Sequence, residues 1–390
     1  MEKPEQSKRS VGWMGLERGH RARPLEWLAE KMIFLVSLSA ILMVFLIFIF
    51  ITREALPIFL GQTDTAAARV IPADDIDKLS PEKLRAYLGL SPEDFKNKDH
   101  ATLKLLMQLR EKSAAENGDN KDAGINTTSW RYMLKPYQWS DNDRPEYIWQ
   151  PRGEIQKFNI VPLLVGSLKV TIVALLFSVP VSLAAAIYVS QLCPPNVREV
   201  VKPSIELLAG IPSVVMGFFA LTVMSGALQS IFHYRYALNS LLAGVALGLA
   251  VIPVIFSIAE DALTSVPRTY LQAALALGSS RWQAAWQVVV PAALPGIFAA
   301  IVLGFGRAVG ETMIVLMASG NASVLSWNML DSARTVTATI AAELGEAVSQ
   351  SPHYRILFMI GVLLFIVTFL SNLAGELVME RLKGRLEGKR

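Results

Sequence analysis

The chain of 390 residues is 52% hydrophobic and only 18% charged, with a formal net charge of +4. Its positive mean hydropathy, +0.39, and its long apolar runs exclude an ordinary soluble domain and point to a polytopic membrane protein. The cations are scattered or flank apolar runs, a pattern of membrane topology and not of a nucleic-acid surface, and the single cysteine, Cys193, allows no intrachain disulfide.

Apolar runs of spanning length lie near 32–52, 164–190, 205–225, 239–259, 291–318 and 356–379, which predicts an all-α fold with six transmembrane helices. The cytoplasmic N-terminal segment, 1–31, holds seven Lys or Arg, among them Arg18, Arg21, Arg23 and Lys31. The basic tail at 381–390 carries Arg381, Lys383, Arg385, Lys389 and Arg390. Both termini are therefore expected in the cytoplasm. Arg198, Lys202, Arg268 and Arg281 on the predicted inner loops agree, against Arg235, Arg334 and Arg355 on the outer ones. The first run is too long and starts too late to be a cleavable signal.

Between the first span and a five-helix core at 158–380 lies an insert, 53–157, expected outside the cytoplasm. Ser80-Pro81-Glu82 and Ser91-Pro92-Glu93 each read as a helix start, with a capping serine and proline at the first helical position. Ala101 to Glu116 is helix-prone, so the insert is expected to be mostly helical. Its aromatics, Trp130, Tyr132, Tyr137, Trp139, Tyr147 and Trp149, fit either a membrane-interface belt or a docking surface for an external solute-binding protein.

In the second span, Lys169 is expected to snorkel to the outer interface or, less in keeping with its place, to attract an anion. Gly210 and Pro212 predict a kink or unwound stretch midway along the third span, either a wall of a pathway or a packing device. After the fourth span, Leu271, Ala274, Leu275 and Gly278 form one apolar stripe of a short helix that Gly278 can end. This segment, within 262–291, reads Gln272-Ala273-Ala274, three residues, Gly278, nine residues, then Val288, Val290 and Pro291. It resembles the EAA loop of ABC importer permeases, E-A-A-x3-G-x9-I-x-L-P, with Gln272 for Glu, Val288 for Ile and Val290 for Leu.

The fifth span carries a ridge of small residues, Ala292, Gly296, Ala300, Gly304, Ala308 and Thr312, beside a second pair, Gly306 and Gly310. Such ridges let membrane helices approach closely, so this span is expected at the centre of the bundle. Arg307 and Glu311 lie four apart on it and would share one helix face. They form either a solute site or an ion pair that locks helices together. No G-x4-G-K-[ST], HExxH or GxSxG stretch occurs, and His20, His100, His233 and His353 are dispersed, so neither an ATPase loop nor a metal site is legible.

Taken together, the EAA-like segment, IELLAGIPSVVMGF at Ile205 to Phe218, GFGRAVGETM at Gly304 to Met313 and the tail Thr339 to Ala347 resemble the permease subunits of phosphate ABC importers, PstC-like more than PstA-like. The resemblance covers about 160 to 379 and says little about the insert. It implies a permease of the bacterial inner membrane whose pathway includes Arg307, Glu311 and Thr312. It also implies coupling through Gln272, Ala273, Ala274, Gly278 and Pro291, and helix packing on Gly296, Gly304, Gly306 and Gly310. The implied partners are a homologous second permease (PstA-like), a cytoplasmic ATPase pair (PstB-like) and a periplasmic phosphate-binding protein (PstS-like). The chain itself would be non-catalytic and without cofactor, ATP being held by the ATPase. A permease for molybdate or sulfate, or a membrane sensor or scaffold signalling through the insert, are the competing readings.

Overall fold

The structure, a computed structural model, describes residues 24–63, 76, 79–88, 90, 92–116, 122, 125–153 and 155–386. The basic head, Ser91 and the end of the basic tail lie outside the described residues. Among the described residues, five helices are long and apolar enough to cross a membrane, and a helix pair bent by 72° brings the number to six when counted as one span.

The first helix, α1 (Pro24–Phe59), divides at Phe50. Up to that point it forms a unit of its own, and its apolar side chains from Met32 to Phe50 are largely exposed. A helix apolar all round and unburied is one whose solvent is lipid. From Ile51 onward the chain forms the second unit.

The insert begins with α2 (Pro81–Leu88), α3 (Pro92–Lys96) and α4 (His100–Glu116), which bury Leu84, Tyr87, Leu103 and Met107 against one another. The two prolines open their helices as the sequence predicts, because a missing N–H costs nothing in the first turn. Next come the single-turn α5 (Trp130–Leu134) and an antiparallel pair that the sequence does not announce, β1 (Trp149–Gln150) and β2 (Lys157–Phe158). Several of these aromatics take part in the fold of the insert itself. Trp139 and Trp149 are buried, and Tyr132, Tyr137 and Trp139 meet edge to face in a chain, with the Lys157 ammonium 4.8 Å above the Trp139 ring. Asp122 accepts hydrogen bonds from the Ser140 amide and hydroxyl (2.6 Å each) and from the Tyr137 hydroxyl (3.2 Å). Burial alone would raise this carboxyl, but those donors outweigh it and hold it below the ordinary carboxylate range.

The core follows in order: α6 (Val161–Ile187), which continues through a π-helical turn to Leu192; α7 (Pro195–Leu208); α8 (Ser213–Phe219) and α9 (Ser225–Phe232), joined by a second π turn; and α10 (Ser240–Ser265). Then come the short α11 (Arg268–Ala276), α12 (Arg281–Ala284) and α13 (Val290–Ala292), and after them α14 (Leu294–Gly310), α15 (Met313–Ala318), α16 (Val336–Glu343) and α17 (Pro352–Leu386).

Two spans differ from their expected form. The third crosses only as Ser213–Phe232, and the unwound stretch, Ala209 to Pro212, lies at its start and not midway. Proline disfavours helix in the residue before it, so Ile211 cannot carry α7 into α8. The fifth is not one helix over 291–318: Arg281–Ala292 and Leu294–Gly310 meet at 72°, and the helix stops again at Gly310.

The most enclosed span is α10, and this corrects the central place expected for the fifth. A Cβ on Gly244 would run into Val173, and one on Gly248 would press on Phe177 and the Ala174 backbone, so α6 and α10 approach closely on glycine. Ala246, Val251, Ile255, Phe256 and Ala259 of α10, with Ala300 and Ala308 of α14, fill the main core. A second core joins the last turns of α1 (Ala55, Ile58), the insert (Met133, Trp149, Phe158) and α17 (Ile356, Met359, Ile360).

Candidate functional site

The break between α14 and α15 forms because Glu311 competes for the backbone. Its carboxylate accepts from the N–H groups of Thr312 (3.1 Å) and Met313 (3.2 Å), the orphan donors at the start of α15, while its own backbone is extended (φ −69°, ψ 135°). The Thr337 hydroxyl donates to the Glu311 carbonyl (2.9 Å), so α16 braces the same point.

Arg307 and Glu311 therefore do not share a helix face. One is the last basic residue of α14 and the other lies beyond its end, with no ion pair between them. Arg307 is exposed and has no hydrogen-bond or ionic partner among the described residues. Thr312 is half-buried on the break, its hydroxyl 3.3 Å from the Gly310 carbonyl, so the small-residue ridge ends before it. A guanidinium open on an apolar span needs water or a second chain to face it, because lipid alone is costly for it.

The packing glycines separate by position. A Cβ on Gly296 would collide with Ala262, and one on Gly304 with Ile255, so both face α10. Gly306 instead faces Asn372 of α17, 3.3 Å from where its Cβ would lie, and Gly310 has open space around it.

The EAA-like segment folds as α11, a reversal and α12. Gly278 takes φ +89°, with its N–H donating to Leu275 (3.0 Å) and the Ser279 N–H donating to Ala274 (3.1 Å), the paired bonds of a glycine-ended helix. Ser280 then caps α12 in a reciprocal box with Gln283. The expected apolar stripe is turned partly inward: Ala274 is buried and Leu271 packs against the main core. The apolar side chains left open include Leu275 of that stripe with Tyr270, Leu277, Trp282 and Trp286, and Leu277 is 88% exposed. Trp282 and Trp286 meet edge to face at 5.8 Å. Gln272, Ala273 and Pro291 are exposed on the same segment.

Two buried charge clusters escape sequence reasoning. Lys169 does not snorkel: it is 3% exposed and donates to the carbonyls of Ser326 (3.0 Å) and Asn328 (2.9 Å), pinning the loop after α15. The burial follows from that loop folding back over α6, where a Cβ on Gly166 would strike the Arg334 carbonyl. At the end of α16, Glu343 accepts from Trp149 Nε1 (3.1 Å) of the insert, Arg334 Nη1 (2.8 Å) and His353 Nε2 (2.9 Å). Those four residues span some two hundred positions, and no local spacing signals their meeting.

The chain matches the family described as binding-protein-dependent transport system inner membrane component over residues 178–387. It is similar to a probable ABC transporter permease protein, YqgH, of Bacillus subtilis, 37% identical over 60% of this chain and 76% of that one. It is also similar to proteins named phosphate transport system permease protein PstC of Mesorhizobium japonicum (33% identical; 61% of this chain, 77% of that one) and PstC 1 of Mycobacterium bovis (32% identical; 57% and 73%).

Proposed function

We propose a transport role from one premise: the chain belongs to the family of binding-protein-dependent transport system inner membrane components. It is the membrane-spanning permease subunit of an ATP-driven importer of inorganic phosphate. The relatives named as phosphate permeases support that solute over molybdate or sulfate. ATP is hydrolysed on a separate ATPase pair that docks on the open apolar side chains of α11 and α12. A homologous second permease completes the pathway, and a solute-binding protein delivers phosphate to the end of the bundle that carries the insert. With both termini in the cytoplasm, α7, α11 and α12 face the ATPase.

The observation that carries the reading at residue level is the open guanidinium of Arg307 one turn before a helix break. Non-helical backbone at membrane depth is tolerated where it lines a cavity, and a planar, permanently charged fork suits a tetrahedral oxyanion. Arg307→Lys keeps the charge but not the fork. Phosphate uptake by cells carrying this variant should fall by about tenfold or more at equal amounts of inserted protein, the loss expected when a bidentate contact worth about 1.5–3 kcal/mol goes. Uptake equal to wild type would remove Arg307 from the pathway.

A further inference from the structure

The helix α7 carries a charge cluster on its inner side. Its cations point into the protein while Val200 and Leu207 lie open. The cations converge on Glu260 of α10, whose carboxylate is wholly buried. Arg198 and the Thr264 hydroxyl (2.9 Å) donate to Oε1, and Lys202 donates to Oε2 (2.6 Å). Lys202 also reaches Asp261, 3.4 Å away and largely exposed. Hydrogen bonding to Glu260 holds the Lys202 ammonium above its ordinary pKa. Both oxygens of this dehydrated carboxylate are thus held by donors of α7 or of its own helix, an arrangement whose geometry is specified and not incidental.

The position of this knot matters more than its strength. It stands eight residues before α11 begins, at the root of the EAA-like segment. On the other side it holds a helix bounded by two interruptions of the α-helix, the π turn ending at Leu192 and the unwound Ala209 to Pro212 that opens the third span. Val201 and Ile205 rest on the core, but the ionic contacts of α7 among the described residues all go to Glu260 and Asp261.

We infer that Glu260 is a positioning residue for transport: it ties α7 to the root of α11, so that a displacement of α11 and α12 is delivered to the break at Ala209–Pro212. The inference rests on reading α11 and α12 as the ATPase-docking segment. It predicts that loosening the knot separates ATP hydrolysis from solute movement, whereas a merely structural knot would lower both together.

The test uses the whole complex, permeases with ATPase and phosphate-binding protein, in proteoliposomes at equal assembled amounts. All variants are built on Cys193→Ser, which removes the only cysteine. In Glu260→Gln, ATP hydrolysed per phosphate accumulated should rise about tenfold, within the range of ordinary coupling between sites. A second variant, Lys202→Cys with Glu260→Cys, should show the same excess hydrolysis when reduced. Bridging its two thiols with a short bifunctional reagent should return the ratio toward the parent value, because a covalent tie replaces the ionic one. Hydrolysis and uptake falling in proportion, or a ratio that bridging leaves high, overturns the inference while the transport reading stands. A Cys193→Ser parent complex that accumulates no phosphate overturns the transport reading, and this inference with it.

Discussion

At the scale of single residues, Glu311 is the instructive case. Four-residue spacing argues for an ion pair with Arg307, and that argument holds only while the helix continues. Two backbone amides reach the carboxylate first, and the helix ends. The role of Glu311 is then an acceptor for the start of α15, which an amide oxygen can also fill. Glu311→Gln should accordingly keep most phosphate uptake, whereas Glu311→Ala should lose it and cost about 1 kcal/mol of stability, the usual loss for a removed helix cap. Comparing the two variants in one uptake assay checks this, and equal loss in both would return the charge itself to the mechanism. Lys169, Arg334 and His353 were legible in the sequence only as isolated polar residues. Their partners are backbone carbonyls in a distant loop or a carboxylate on another helix, and chain order carries no trace of such meetings.

Among elements, those governed by local chemistry were read best. The proline-opened helices of the insert, the helix end at Gly278 and the unwound stretch around Pro212 all depend on φ limits of one or two residues. The inward turn of the α11 stripe was missed because tertiary contacts decide it, and the break at Gly310 because a local carboxylate takes the backbone amides. Gly278 supplies a direct check. Its φ of +89° is one a branched side chain resists, while nothing lies within 4 Å of where a Cβ would sit, so Gly278→Val acts through the backbone alone. The variant should insert normally yet fail to stimulate the ATPase, and ordinary stimulation would contradict the docking role of this reversal.

The insert offers a second prediction at this scale, in pH. The carboxyl of Asp122 is held below its ordinary value in the folded insert, so its stabilisation is present above the unfolded carboxylate range and is lost as pH falls through the lower folded value. Protease cutting within 79–153 should thus accelerate below about pH 4. Asp122→Asn should be cut faster at neutral pH and show a shallower pH dependence. A variant as resistant as the parent at pH 7 would show that Asp122 does not hold the insert.

For the whole molecule, the apolar runs were enough to give an all-helical, multi-span membrane protein, because a bilayer leaves a chain few other ways to satisfy its backbone. What composition could not supply is how the insert is attached. The buried Trp149–Glu343 hydrogen bond and the second core make the part of the insert from Trp130 to Phe158 continuous with α16 and α17, so that part is fixed to the permease and not a tethered accessory. The central claim is that this molecule moves phosphate, and accumulation in proteoliposomes holding the complete complex tests it most directly. With ATP inside and the phosphate-binding protein outside, radiolabelled phosphate should accumulate, and excess unlabelled sulfate or molybdate should not compete. No accumulation, or accumulation abolished by either competing oxyanion, would contradict the account.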